Sequence, residues 1–232
     1  MPAVSSRTKL REVVRPARLA LILLALSLAA PDVAAAGGAL GPGRSGCHFS
    51  GTTIDAGPGG RVFYRPTRDP DRVYLCSYRT GRRTPIGSDD CFNAVEVQIT
   101  RFSRRFLAVD TLSCAPGGTA STLHLYRTRN GRRVRGVADV PGPFTPGAVS
   151  DVTDLVLRGD GALAWIVELR DTVDSGPRYQ VRASLGGTVS TLVAEGSDIA
   201  PGSLALAGST LYWTQAGTPH STRLPGQVSA GR

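Results

Sequence analysis

Arg127, Arg129, Arg132, Arg133 and Arg135 fall within nine residues, and Arg79, Arg82 and Arg83 occupy the matching phrase about 48 residues earlier. A guanidinium is planar, keeps its charge at any physiological pH and offers a bidentate fork to phosphate or carboxylate. Two such groups brought side by side would hold an acidic polymer. Aromatic side chains are not interleaved with these arginines, which argues against single-stranded nucleic acid. The expected partner is an envelope polyanion, a glycopolymer or lipid headgroup, or else a protein. The same charges would also serve as guards against edge-to-edge strand pairing.

The other residue types capable of chemistry are more scattered. Cys47, Cys76, Cys91 and Cys114 are separated by 29, 15 and 23 positions, too far apart for the paired spacing of a zinc site. An even number in an exported chain suggests two disulfides. Chain proximity favours Cys91–Cys114 with Cys47–Cys76, and leaves Cys76–Cys91 with Cys47–Cys114 open. His48, His124 and His220 have no partner at ligand spacing, and no Gly-x-Ser-x-Gly stretch occurs. Carboxylates pair at Asp89/Asp90, Asp151/Asp154 and Glu168/Asp171/Asp174, with Asp198 beyond, all in turn-like text. A glycan-acting hydrolase built on such loop carboxylates is the alternative function, and a purely structural, self-associating domain is another. The expectation is a chain with no catalytic residue, no metal and no cofactor.

These residues sit on recurring short strands. Tyr78-Arg79-Thr80-Gly81-Arg82-Arg83 returns, with two residues inserted, as Tyr126-Arg127-Thr128-Arg129-Asn130-Gly131-Arg132-Arg133. A turn of small or polar residues followed by an apolar strand occurs four times, at Gly59–Tyr64, Ser103–Val109, Asp160–Ile166 and Gly208–Thr214. Shorter strands precede each, at Thr52–Ile54, Val95–Ile99, Leu155–Leu157 and Leu204–Leu206. Hairpins follow the first three: Val73–Tyr78 with Thr84–Ile86, Leu123–Tyr126 with Val134–Val137, and Tyr179–Ala183 with Thr188–Val193. Gly81, Asn130-Gly131 and Gly186-Gly187 supply the positive φ that tight hairpin turns need. No stretch of twelve residues has helical spacing. The pattern predicts an all-β chain of antiparallel four-stranded units, present three times and then half a time.

A four-stranded unit every 45–55 residues resembles a β-propeller blade. The organisation of residues 47–224 is similar to that of the WD40-like and TolB-like propellers of exported bacterial proteins. The resemblance implies a small or partial propeller, with Phe63, Tyr64, Trp165, Tyr212 and Trp213 packed between units. A twisted β-sandwich is the alternative. No unit carries the Gly-His or Trp-Asp pair of the WD40 pattern, so no functional residue carries over. Side-by-side stacking would bring the two arginine-rich turns to one rim.

The N-terminus reads as an export signal, with a helix over its apolar run. Arg7, Lys9, Arg11, Arg15 and Arg18 precede an apolar run from Leu19 to Ala30, and Ala34 and Ala36 stand at the −3 and −1 positions of a cleavage site before Gly37. The run is short of the roughly 20 residues that cross a bilayer, so no stable membrane span is expected after cleavage. The predicted organisation is a signal peptide over 1–36, a Gly/Pro linker over 37–46, the β domain over 47–224 and a flexible tail over 225–232. Loss of 1–36, with five basic and two acidic side chains, lowers the net charge from +9 to +6. The compartment is extracytoplasmic, secreted or at the cell envelope.

Overall fold

The computed structural model describes residues 46–66, 72–92, 94–115, 118–134, 148–172, 174–184 and 189–224. The expected signal peptide over 1–36, nearly all of the expected linker, the expected tail and Arg135 lie outside these. The described chain is all-β, with no helix and mostly antiparallel pairing.

The first unit is a meander of β1 (Thr52–Gly57), β2 (Gly60–Arg65), β3 (Arg72–Ser77) and β4 (Arg83–Ser88). The second holds β5 (Glu96–Phe102), β6 (Phe106–Ala115), β7 (Gly118–Arg127) and the two-residue β8 (Arg132–Arg133). The third holds β9 (Ala148–Leu157), β10 (Leu163–Arg170), β11 (Arg178–Ser184) and β12 (Thr191–Gly196). The last is three-stranded: β13 (Ala205–Ala207), β14 (Thr210–Gln215) and β15 (Thr218–Arg223). Parallel bridges link the first three units, Ser88 to Glu96 and Gly118–Ala120 to Ala148–Ser150.

Strand side chains alternate between faces with a period of two, and here both faces are used. Leu107 and Val109 of β6 join Val62, Val73, Leu75 and Ile86 of the first unit. Ala108 between them points the other way, joining Leu123 and Leu125 to Trp165, Leu163 and Val167 of the third. Ala164 and Ile166 then face Leu211 and Trp213 of the fourth unit. Each unit therefore packs its sheet face on the next, and Trp165 is wholly buried in one of these seams.

The first strands of successive units lie against one another, β1 on β5, β5 on β9 and β9 on β13. Each of β1, β5 and β9 carries a bulge, at Ile54, Gln98 and Thr153. In two of them the bulge aims an aspartate at the next unit. Asp55 Oδ1 accepts from the Ala56 amide at 2.7 Å and Oδ2 from Thr100 Oγ1 at 2.8 Å. Asp154 repeats this with the Leu155 amide at 2.8 Å and the Leu204 amide at 2.9 Å. Ile99 stands at the equivalent place in the second unit. There Arg101 makes the link instead, donating to the Leu155 carbonyl at 3.1 Å.

Several expected strands are longer in the structure. β6 and β7 run ten residues each and stay paired through Ala115 and Gly118. β9 begins at Ala148, seven residues before the apolar run that marks it in the sequence. The strand returning along β7 begins earlier than expected, at Arg132–Arg133, and the Val134 amide continues the pairing by donating to the Leu125 carbonyl at 2.7 Å; the rest of the expected Val134–Val137 strand lies outside the described residues. The fourth unit gains a third strand from Thr218–Arg223.

Both disulfides are formed, Cys47–Cys76 and Cys91–Cys114. The first ties residues 47–49 to the outward face of the first unit. There Phe49 stacks on Phe63 with ring centroids 5.9 Å apart, and Phe63 on Tyr74 at 5.6 Å.

Candidate functional site

The two arginine-bearing turns are built alike. After Ser77, the Gly81 amide donates to the Ser77 carbonyl at 2.9 Å, and Gly81 takes φ +64°. After Arg127, the Gly131 amide donates to the Arg127 carbonyl at 2.9 Å, with Gly131 at φ +68°. Only glycine enters that region freely. The second turn also lies on the first unit. A Cβ on Gly131 would strike Thr84 Oγ1, and one on Gly59 would strike the Thr128 side chain. The Tyr78 amide donates to the Gly59 carbonyl at 3.1 Å, which brings the first turn to the same edge.

The result is a concave, basic surface. An open cavity of about 510 Å³ is lined by Arg79 of the first unit with Arg105, Phe106, Arg127 and Arg129 of the second. A second, of about 390 Å³, is lined by Arg127, Arg129, Asn130, Arg132, Arg133 and Val134. Phe106 forms an aromatic wall, with its ring edge near Gly161. None of these arginines forms an ion pair among the described residues, whereas Arg101, Arg158, Arg170 and Arg178 each face a carboxylate.

Arg82 and Arg83 line neither cavity. Arg83 pairs opposite Cys76 on the outward face of the first unit, with its guanidinium 5.3 Å from the Phe49 ring and 5.7 Å from that of Tyr74. The cause is strand alternation. Ile86 points into the seam with the second unit, so Arg83, three residues earlier, points away from it.

A second cluster draws on residues the sequence reading left apart. Asp110 of β6 is fully buried, Asp151 and Glu168 are cross-strand neighbours on β9 and β10, and Ser121 of β7 lies between. Ser121 Oγ is 3.3 Å from Asp110 Oδ2 and 3.4 Å from Asp151 Oδ1, and it accepts the Val152 amide at 3.2 Å. Glu168 is held by Arg170 and by the Tyr179 hydroxyl at 3.2 Å. Burial, then the charge of Asp151, lifts the Asp110 carboxyl to about 7. Burial, then Glu168, also raises that of Asp151. These acids are strand residues between the second and third units, not loop acids. In the sequence Asp110-Thr111-Leu112-Ser113 reads as the polar end of a strand, which hides Asp110 as a buried acid.

The remaining candidates are dispersed. His48 is exposed, His124 meets Tyr126 edge-on at 6.4 Å, and His220 stacks on Trp213 at 5.6 Å. Asp89 Oδ2 accepts from the Tyr64 hydroxyl at 3.2 Å, and Asp198 Oδ1 accepts from Gln215 at 3.0 Å. No group of three or more His, Cys, Asp or Glu among the described residues is arranged to hold a metal ion.

No family model matches the chain, and no curated protein does. Among solved structures it is similar to one titled "AtxE2 Isopeptidase - APO", with 7% identity over 68% of this chain and a TM-score of 0.21. The chain spans 35% of that protein's length. A likeness so slight supports neither a shared fold nor a shared activity.

Proposed function

We propose that the chain is an exported, non-enzymatic binding module of the cell envelope, holding an acidic polymer along its arginine-lined edge. The observation that carries this reading is the cavity where Arg79 of one unit meets Arg105, Arg127 and Arg129 of the next, with no carboxylate paired to them among the described residues. Four unneutralised guanidiniums at one concave place repel one another, so an anion bound there gains from all of them. Phe106 adds an apolar wall for the carbon face of a sugar ring or for an acyl chain. The two disulfides fit an oxidising, extracytoplasmic compartment. The face-to-face units and adjoining first strands are what a small or partial propeller would display, and the signal sequence supplies the route out of the cytoplasm.

The convergence of Asp110, Asp151 and Glu168 is the observation that would favour a glycan-acting enzyme. Asp110 has no exposed surface, however, and among the described residues neither arginine cavity is lined by an acid. A carboxyl that substrate cannot reach transfers no proton to it.

Binding isotherms with polyphosphate and polygalacturonate test the proposal. The unmodified chain should bind at least one of them, and R127S/R129S should bind it at least tenfold more weakly. Equal affinity of chain and variant would return these arginines to the role of edge guards.

A further inference from the structure

The buried acids carry an inference independent of the arginine edge. Ser121 has one hydroxyl proton, and its oxygen already accepts the Val152 amide. Two carboxylate oxygens from different units lie within 3.3 and 3.4 Å of it. The hydroxyl can donate to only one of them at a time, and the Thr111 and Val152 amides are the other donors that bear on Asp110 and Asp151. Asp110 Oδ1 is also buried with no hydrogen-bond partner. A buried anion in that position costs several kcal/mol, and neutralisation is the usual escape.

The groups around Asp110 reinforce this. Asp151 on β9 bears on Asp110, Glu168 on β10 and Glu96 on β5 bear in turn on Asp151, and Glu168 is itself paired with Arg170. Asp110 has the Thr111 amide and the Ser121 hydroxyl acting in its favour, and burial outweighs both.

We propose that one proton shared within the Asp110–Ser121–Asp151 group locks the second unit to the third, and that its loss loosens the seam. The lock sits beside the parallel bridge of Gly118–Ala120 to Ala148–Ser150, the only strand pairing that joins these units among the described residues. With the proton present, a carboxyl donates and the three groups form a closed set. Without it, Asp110 and Asp151 are both charged across that bridge. The raised carboxyls of Asp110 and Asp151 mean that the folded chain keeps protons an unfolded one has released. The seam is therefore tightest on the acid side and weakens as pH rises through about 7.

The Val152 amide reports the lock directly, because its acceptor is Ser121 Oγ. Hydrogen exchange of the full chain, corrected for intrinsic rate, should show protection at Val152 falling at least tenfold between pH 6 and pH 8. Asp110→Asn should abolish that dependence. Equal protection at both pH values in the unmodified chain overturns the proposal, as does an unchanged tenfold fall in the variant. Should Asp110→Asn not fold, carboxyl carbon shifts of the unmodified chain decide the matter. One of Asp110 and Asp151 must be protonated at pH 6, and finding both ionised refutes the lock.

Discussion

Cutting the Cys47–Cys76 link should cost more than cutting Cys91–Cys114, although the two close loops of similar length. The sequence separations are 29 and 23 residues. Chain entropy alone assigns each crosslink about 3.5 kcal/mol. The first also holds a strap. Residues 47–49 cover the outward face of the first unit, where Phe63 is fully buried and Arg61 donates to the Phe49 carbonyl. Arg61 also lies 4.8 Å from the Phe63 ring centroid, so strap, ring and cation form one stack. Freed of its tether, the strap can lift and expose Phe63, worth about 1.5–3 kcal/mol for a ring of that size. C47A/C76A should therefore lose about 5–6.5 kcal/mol in urea unfolding, and C91A/C114A about 3.5 kcal/mol. Binding of an apolar dye and cleavage near residues 46–50 should rise in the first variant only. If C47A/C76A loses less than about 1 kcal/mol and binds no dye, the strap is held by its own contacts, and the reasoning fails.

Unfolding free energy should fall as pH rises from 5 to 8. A carboxyl moved from 3.8 to about 7 by folding costs at most about 4 kcal/mol once ionised, and Asp110→Asn should remove most of that slope in urea titrations. Trp165→Ala, deep in the seam between the second and third units, should cost about 3–5 kcal/mol by the same assay, and a loss under about 1 kcal/mol would mean the seam is not packed as described. Gly131→Val should destabilise by more than about 1 kcal/mol, because φ is +68° and the added carbon meets Thr84; an unchanged melting temperature would refute the turn geometry.

The strand grammar was largely legible because it rests on short-range physics. Alternation in Leu107-Ala108-Val109 and Ala164-Trp165-Ile166, with glycines where a turn needs positive φ, marks both the strands and their repeat. Polar strand segments were not legible. Asp110–Ser113 and Ser150–Asp154 carry little apolar signal, and they are strands because β6 continues to pair with β7 and β9 with β10. The Cys91–Cys114 link ends the same stretch. Charge in such a segment looks like a loop until the neighbouring unit is present, so the sequence hides Asp110 and makes Asp151 look like a turn residue. The placement of Arg83 was available from parity with Ile86, whereas the meeting of Arg79 with Arg127 and Arg129 depends on how two units stack.

The salt dependence of polyanion binding tests the arginine edge most directly. Between 0.01 and 0.1 M salt the screening length falls from about 30 to about 10 Å. Affinity of the unmodified chain for whichever of polyphosphate or polygalacturonate it binds should fall at least tenfold over that interval. R79S/R105S/R127S/R129S should bind weakly and respond little to salt, and R82S/R83S, outside both cavities, should follow the unmodified chain. A salt-insensitive affinity in the unmodified chain, or a quadruple variant that binds as well as its parent, would contradict the account.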